Sequence, residues 1–223
     1  MEIYYDTEFK ERGYGQPITL VSIGMIAEDG RTLYRVNKNC LAIDAVVTHD
    51  WLRPNVGRHL PIEIDEGKHL AWWWDEKHAE YEAVAQIEQI RADVEAFIRA
   101  TPEPSLWAWY AAYDHVMYAQ LFGRMIDLPQ GFPMHTNDLK QEADRLGNPR
   151  MPAMQPPDTE HHALHDAVAD MRRRVWLRDY ARDLDSRRIQ GILDRERGVW
   201  TGRPSQAEAG ITLLDPTDGN QKP

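Results

Sequence analysis

A mixed α/β sheet flanked by helices is the fold that the 223-residue sequence predicts, and three observations predict it. Ile3–Phe9, Ile18–Ala27 and Thr32–Val36 read as three successive strands, the last two joined by the turn signal Glu28-Asp29-Gly30-Arg31. An amphipathic helix from Glu80 to Ile98 leads to a further strand, Ser105–Ala111. A long helical stretch from Glu160 to about Leu184 closes the pattern. Strands alternating with helices in this way build a sheet covered by helices.

In the first strand, Ile3-Tyr4-Tyr5-Asp6-Thr7-Glu8-Phe9, Asp6 and Glu8 stand two residues apart and share a face. Two carboxylates held that close repel each other unless a cation lies between them. Hard oxygen ligands of this kind suit Mg²⁺ or Mn²⁺. The spacing alone is weak evidence: Asp93-x-Glu95 repeats it on the solvated side of a helix. Arg12 to Pro17, with two glycines and a proline, is a turn. Ile18–Ala27 is almost continuously apolar, which predicts a strand buried on both faces.

Ala42–His49 reads as a short helix, and from Trp51 to about Ala79 no regular period survives. That stretch carries Trp72-Trp73-Trp74, expected to pack a loop onto the body or to meet another chain rather than to stack bases. In the helix after it, Val84, Ile87, Ile90, Val94 and Phe97 or Ile98 share a face, and Thr101–Pro104 stops it. The aromatic strand Ser105–Ala111 runs into Tyr113-Asp114-His115 at its carboxyl end, where a helix continues to about Met125. Ligands of open α/β sheets gather at such ends. A short strand at Pro133–Thr136, a helix over Asn137–Leu146 capped by Asn137 or Asp138, and a four-proline loop from Asn148 to Thr159 follow.

The last helical stretch opens with His161-His162-Ala163-Leu164-His165-Asp166-Ala167-Val168-Ala169-Asp170. Residues five apart do not share a helix face. His161 can therefore meet Asp166 only from the preceding loop, with Asp166 in the first turn near the favourable helix N-terminus. His165 and Asp170 repeat the spacing, and spacing does not choose between the pairs. His165, however, would lie inside the helix.

The totals set limits. One cysteine, Cys40, excludes an internal disulfide and fits a reducing cytoplasm, which is the expected location. No segment is apolar enough to span a membrane, and the N-terminus has no secretory signal pattern. A net charge of −10 argues against broad nucleic-acid coating, which needs a basic surface. It leaves room for an enzyme that handles a nucleic-acid end through metal ions, since bound cations reverse the local field.

Asp6-x-Glu8, then Asp114, then His161-x-Ala163-x-x-Asp166-Ala167, in that order, resembles the DEDDh 3′-5′ exonucleases of the ribonuclease-H-like superfamily. The match is closest to the polyadenylate-specific exoribonuclease AS branch. It rests on Tyr5-Asp6-Thr7-Glu8-Phe9, Trp107-Ala108-Trp109, Ala112-Tyr113-Asp114-His115-Val116 and Pro149-Arg150-Met151-Pro152, with Trp51-Leu52-Arg53-Pro54-Asn55 extending it. Residues 62–80 look inserted relative to that family, and a polar tail follows from 186 to 223, leaving a domain over 1–185.

The resemblance implies a DnaQ-like exonuclease fold and two Mg²⁺ or Mn²⁺ ions held by Asp6, Glu8, Asp114 and Asp166. Asp6 is expected to bridge them, with Glu8 and Asp166 on one ion and Asp114 on the other, and His161 is expected to act as general base. It favours His161/Asp166 over the later pair and implies a homodimer. The expected reaction is stepwise release of nucleoside 5′-monophosphates from single-stranded RNA 3′ ends, with a preference for poly(A). Phe9, Thr7, Trp109 and Tyr113 are the expected substrate contacts, Phe9 as a stacking surface for the terminal base. The competing expectations are a DNA-directed proofreading exonuclease and an inactive binding module of the same fold.

Overall fold

The computed structural model describes residues 1–65, 67 and 71–197. Six strands form the main sheet: β1 (Glu2–Lys10), β2 (Thr19–Ala27), β3 (Thr32–Asn37), β6 (Val84–Ala85), β7 (Ser105–Ala108) and β8 (Thr136–Asp138), in the order β6-β3-β2-β1-β7-β8. β1, β2 and β3 are the antiparallel meander, and β7, β8 and β6 join it in parallel. The mixed ribonuclease-H-like sheet expected from the sequence is the observed fold.

Helix packing follows the strand period. Ile3, Tyr5, Ile23, Met25, Leu106 and Ala108 face α3 (Ile87–Arg99) and α4 (Ala112–Phe122), which bury Ile90, Val94, Ile98, Met117 and Tyr118 against them. The opposite face carries two clusters. Val21, Tyr34 and Val36 pack on α1 (Cys40–Val47), and Tyr4 and Ile26 pack on Ala167 of α6 (Ala163–Glu196). Tyr4, Asp6 and Glu8 alternate with Ile3, Tyr5 and Thr7 along β1, so the two carboxylates look toward the α6 side.

Gly24 of β2 lies opposite Asp6, and a Cβ placed there would sit 2.2 Å from the Leu164 nitrogen and 2.3 Å from the Ala163 carbonyl carbon. The first turn of α6 therefore rests directly on the backbone of the sheet, and only glycine permits it. Ala163 and Ala167, both fully buried, provide the small helix surface on the other side of that contact.

Several boundaries differ from the sequence expectation. The stretch after Trp51 holds a short helix, α2 (Leu52–Asn55), and a hairpin of β4 (Ile62–Asp65) and β5 (Ala71–Trp74). Ile62 and Ile64 pair with Trp74 and Trp72 on its inner face, which joins the cluster around Val21 and Tyr34. Trp72 donates its indole N–H to Asp44 Oδ1 of α1 at 2.6 Å, while Trp73 is 49% exposed. Residues 66 and 68–70 of the expected insertion lie outside the described residues.

The helix expected from Glu80 begins only at Ile87, because Val84 and Ala85 are drawn into the sheet beside Val36 and Asn37. β7 stops at Ala108 rather than Ala111. The Trp109 N–H turns away to a side chain of α6, and Tyr110 takes a left-handed φ of 58°. The strand expected at Pro133–Thr136 is instead Thr136–Asp138, where Thr136 pairs with Leu106. Asp138 then caps α5 (Leu139–Arg145) by accepting from Lys140 N and Gln141 N. The chain divides into a unit over Met1–Asp179 and a second from Tyr180. α6 continues past Leu184 to Glu196, and residues 198–223 of the expected tail lie outside the described residues.

Candidate active site

Three elements bring the four acids together. β1 presents Asp6 and Glu8, the first turn of α4 presents Asp114, and the first turn of α6 presents Asp166. Thr7, on the opposite side of β1, donates both its N–H (2.9 Å) and its hydroxyl (2.7 Å) to Asp114 Oδ1, which fixes that carboxylate beside the strand. Asp166 accepts the His161 backbone N–H at 2.9 Å and a hydrogen bond from the Gln155 side-chain amide of the proline-rich loop.

Ligand atoms of Glu8, His161 and Asp166 all lie within 4.8 Å of one another. Asp6, Thr7, Glu8, Trp109, Gln155, Glu160, His161, Asp166, Asp170 and Arg173 line one cavity of about 290 Å³. A larger cavity, about 440 Å³, opens beside β8 and α5 between Trp107 and Arg145. No comparable convergence of acids and imidazole occurs there among the described residues, so volume does not locate the chemistry.

Burial and mutual repulsion of the carboxylates set the electrostatics of the site. Burial, reinforced by Asp114, Glu8 and Asp166, holds the Asp6 carboxyl well above the ordinary range. Burial, then the charges of Asp166 and Asp114, pushes Glu8 up to about 8. Asp114 rises to about 6 through burial despite its two hydrogen bonds from Thr7. Repulsion of this kind disappears when a divalent cation binds between the groups.

His161 sits just before α6 in a left-handed conformation, φ 66°, which is unusual for a residue other than glycine. The loop is held on both sides. The Glu160 carbonyl accepts from Arg58 at 3.3 Å. The buried His162 ring is stacked between Tyr34 and His165 and lies 3.1 Å from Glu80 Oε1. Trp51 packs edge-on against the His161 ring, with centroids 4.9 Å apart. The alternative pair separates: His165 stacks on His162, whereas Asp170 faces Trp109 and Arg173.

Of the expected substrate contacts, Thr7 and Trp109 line the cavity. Phe9 and Tyr113 stack on each other at 5.4 Å and 17°, and the Tyr113 hydroxyl donates to Glu11. Sequence reading missed Gly24, Gln155 and Arg173, and it weighed Asp170 only as an alternative acid paired with His165. A helical period from Asp166 reaches Asp170 at i+4 and Arg173 at i+7, and that signal could have placed both beside the site.

Residues 1–176 match the 3′-5′ exoribonuclease Rv2179c-like domain. The chain belongs to that family. Two curated relatives, both from Mycobacterium tuberculosis, are 39% identical to it over 175 residues: the 3′-5′ exoribonuclease Rv2179c of strain H37Rv and the 3′-5′ exoribonuclease MT2234.1 of strain CDC 1551. Each alignment spans 78% of this chain and 90% of the relative. The matched region contains β1, α4 and the first turns of α6, and with them every acid described above. No described helix of this family member is long and apolar enough to cross a membrane.

Proposed function

We propose that this chain is a metal-dependent DEDDh exoribonuclease that removes nucleoside 5′-monophosphates one at a time from the 3′ end of single-stranded RNA. The observation that carries the reading is the convergence of Glu8, His161 and Asp166 within 4.8 Å, in a cavity also lined by Asp6. The donor set fits Mg²⁺ or Mn²⁺: the oxygens are hard, and the carboxylates are buried and raised in proton affinity by burial and by one another's charge. Asp6, Glu8, Asp114 and Asp166 would hold two such ions. When bound, the ions stabilise charge on the attacking and leaving oxygens of an in-line displacement.

The residues supply the rest. His161 accepts the proton of a water as its oxygen attacks the scissile phosphorus, a task suited to imidazole near neutral pH. The bond from phosphorus to the 3′ oxygen of the preceding nucleotide breaks. That oxygen leaves with the shortened chain as a 3′-hydroxyl, and the phosphate departs on the released nucleotide. Thr7 holds Asp114 in place through two hydrogen bonds, and Trp51, Arg58 and Glu80 hold the loop that carries His161. The exposed Tyr113 and its partner Phe9 present an aromatic edge beside the cavity for the terminal base.

Within this proposal the preferred substrate is a poly(A) tail, the working unit is a homodimer and the compartment is the cytoplasm, on the family resemblance of Tyr5–Phe9 and Ala112–Val116. The test uses 5′-labelled oligo(A), oligo(C), oligo(U) and DNA with Mg²⁺, Mn²⁺ or EDTA, alongside Asp6→Ala. A metal-dependent ladder from the 3′ end, fastest on oligo(A) and absent in the variant, supports the proposal in full. Equal rates on all RNAs remove the adenine preference, faster loss of DNA favours a proofreading enzyme, and no shortening favours an inactive module. Light scattering at micromolar protein checks the dimer.

A further inference from the structure

Among the described residues, Arg173 is the one permanently charged cation that lines the cavity. It lies two turns along α6 from Asp166 and belongs to none of the metal-ligating positions. One of its terminal nitrogens donates to Asp170 Oδ1 at 2.5 Å, and its guanidinium carbon stands 5.1 Å above the Trp109 ring. Asp170 is 1% exposed, and its other oxygen accepts the Trp109 backbone N–H at 2.9 Å. Asp170 thus ties α6 to the turn after β7 and orients both the arginine and the ring beneath it. Anchoring an arginine by one edge leaves its other N–H donors without a protein partner among the described residues, in the space where the acids converge.

Three features set Arg173 apart from a structural ion pair. Its partner is buried in a cavity wall rather than on the surface. Its plane is fixed by an aromatic face, which reduces the entropy lost when it binds an anion. It lines a cavity shared with Asp6, Glu8 and Asp166, and N–H donors not used by Asp170 remain there to meet an incoming anion.

We infer that Arg173 binds a non-bridging oxygen of the scissile phosphate, with Asp170 and Trp109 as positioning residues. The inference rests on the exoribonuclease reading of the same site. A guanidinium suits this role, because its fork donates parallel hydrogen bonds to a phosphate. As the displacement proceeds, charge grows on the phosphoryl oxygens, and a fixed donor aimed there stabilises the transition state more than the ground state.

The experiment compares wild type with Arg173→Gln, Arg173→Lys, Asp170→Asn and Arg91→Gln, an exposed arginine of α3 that serves as control. Release of label from a short oligo(A) gives kcat and KM, and calorimetry gives the affinities of AMP and adenosine. Arg173→Gln is expected to lower kcat about 10²-fold, the usual cost of one transition-state donor. It should also weaken AMP at least tenfold while leaving adenosine unchanged. Arg173→Lys should fall between, since it keeps the charge and loses the fork. Asp170→Asn should lower kcat with a smaller loss of AMP affinity, and Arg91→Gln should change neither. An Arg173→Gln enzyme with kcat within threefold of wild type overturns the inference, as does equal weakening of AMP and adenosine. A wild-type protein that shortens no RNA removes the exoribonuclease reading, and the AMP-to-adenosine comparison then decides Arg173 by itself.

Discussion

Gly24→Ala is the substitution whose effect the structure fixes most directly. The added methyl would meet the Leu164 nitrogen at 2.2 Å and the Ala163 carbonyl carbon at 2.3 Å, both of them backbone. Ordinary carbon contacts begin near 3.5 Å, so the start of α6 must retreat by roughly 1 Å or more. Overpacking of this kind costs about 1–3 kcal/mol. In a chain of this length each kcal/mol lowers Tm by about 2–4 °C, so a fall of roughly 2–12 °C is expected. Asp166 stands two residues beyond Leu164, and the retreat carries it away from Glu8 and Asp6. A misplacement of about 1 Å at a reacting centre can cost 10²-fold in rate. The assay pairs thermal melts with initial rates on 5′-labelled oligo(A). Gly30→Ala supplies the control: Gly30 has φ 87° in the β2–β3 turn, with nothing within 4 Å of an added Cβ. It should lower Tm through backbone strain and leave kcat alone. A Gly24→Ala protein with wild-type melting and a rate within threefold of wild type would refute the argument that glycine sets the position of Asp166.

Three further outcomes follow from the same geometry. Glu8→Gln removes a buried charge that its neighbours oppose, so in EDTA at pH 8.5 the variant should melt higher than wild type while losing activity by 10²-fold or more; a lower Tm contradicts this. Between pH 5.5 and 8.5 the metal-free protein should lose stability as pH rises, because Glu8, Asp170 and Asp114 are raised by burial to about 8, 7 and 6 and bind protons more tightly folded than unfolded. Millimolar Mg²⁺ should flatten that slope in thermal melts, since it favours the ionised acids, and an unchanged slope speaks against a cation among them. Trp51→Ala removes the edge contact that limits the His161 ring and should lower kcat about tenfold with little change in KM; equal kcat values would show that the loop alone positions the base.

Period and punctuation were enough to find the meander, whereas the set of acids came partly from the family resemblance. Asp6 and Glu8 lie on one face because a strand alternates, and Asp138 caps α5 because its carboxylate reaches two backbone N–H groups. Tertiary competition decided what local pattern could not. Val84 and Ala85 have helix-compatible neighbours yet pair with β3, since the sheet edge offers their backbone hydrogen bonds. Trp109 reads as strand but leaves the ladder when Asp170, 61 residues later, takes its N–H. The hairpin of Ile62–Asp65 and Ala71–Trp74 was hidden because each strand has only four residues, too few for alternation to stand out. Gly24 looked like any glycine in an apolar strand, and its meaning depends on a helix that begins nearly 140 residues later.

Most arginines near the start of α6 are committed away from the acids. Arg172, Arg173, Arg174 and Arg178 all lie within about three turns of Asp166 on the same helix, and left free they would neutralise Asp6 and Glu8. Arg172, Arg174 and Arg178 are engaged elsewhere. Arg172 donates to the Met154 carbonyl. Arg174 pairs with Glu2 at 2.9 Å and lies 3.8 Å over the Trp107 ring, and Arg178 approaches Glu2 and Glu28. Among these arginines Arg173 lines the cavity, and the buried Asp170 holds one of its edges. An arginine held against Glu8 would oppose the carboxylate charges that add to burial in raising its proton affinity. Arg173 is thus the member of this group that reaches the acids among the described residues, and burial together with the charges of neighbouring carboxylates still holds the proton affinity of Asp6 and Glu8 high.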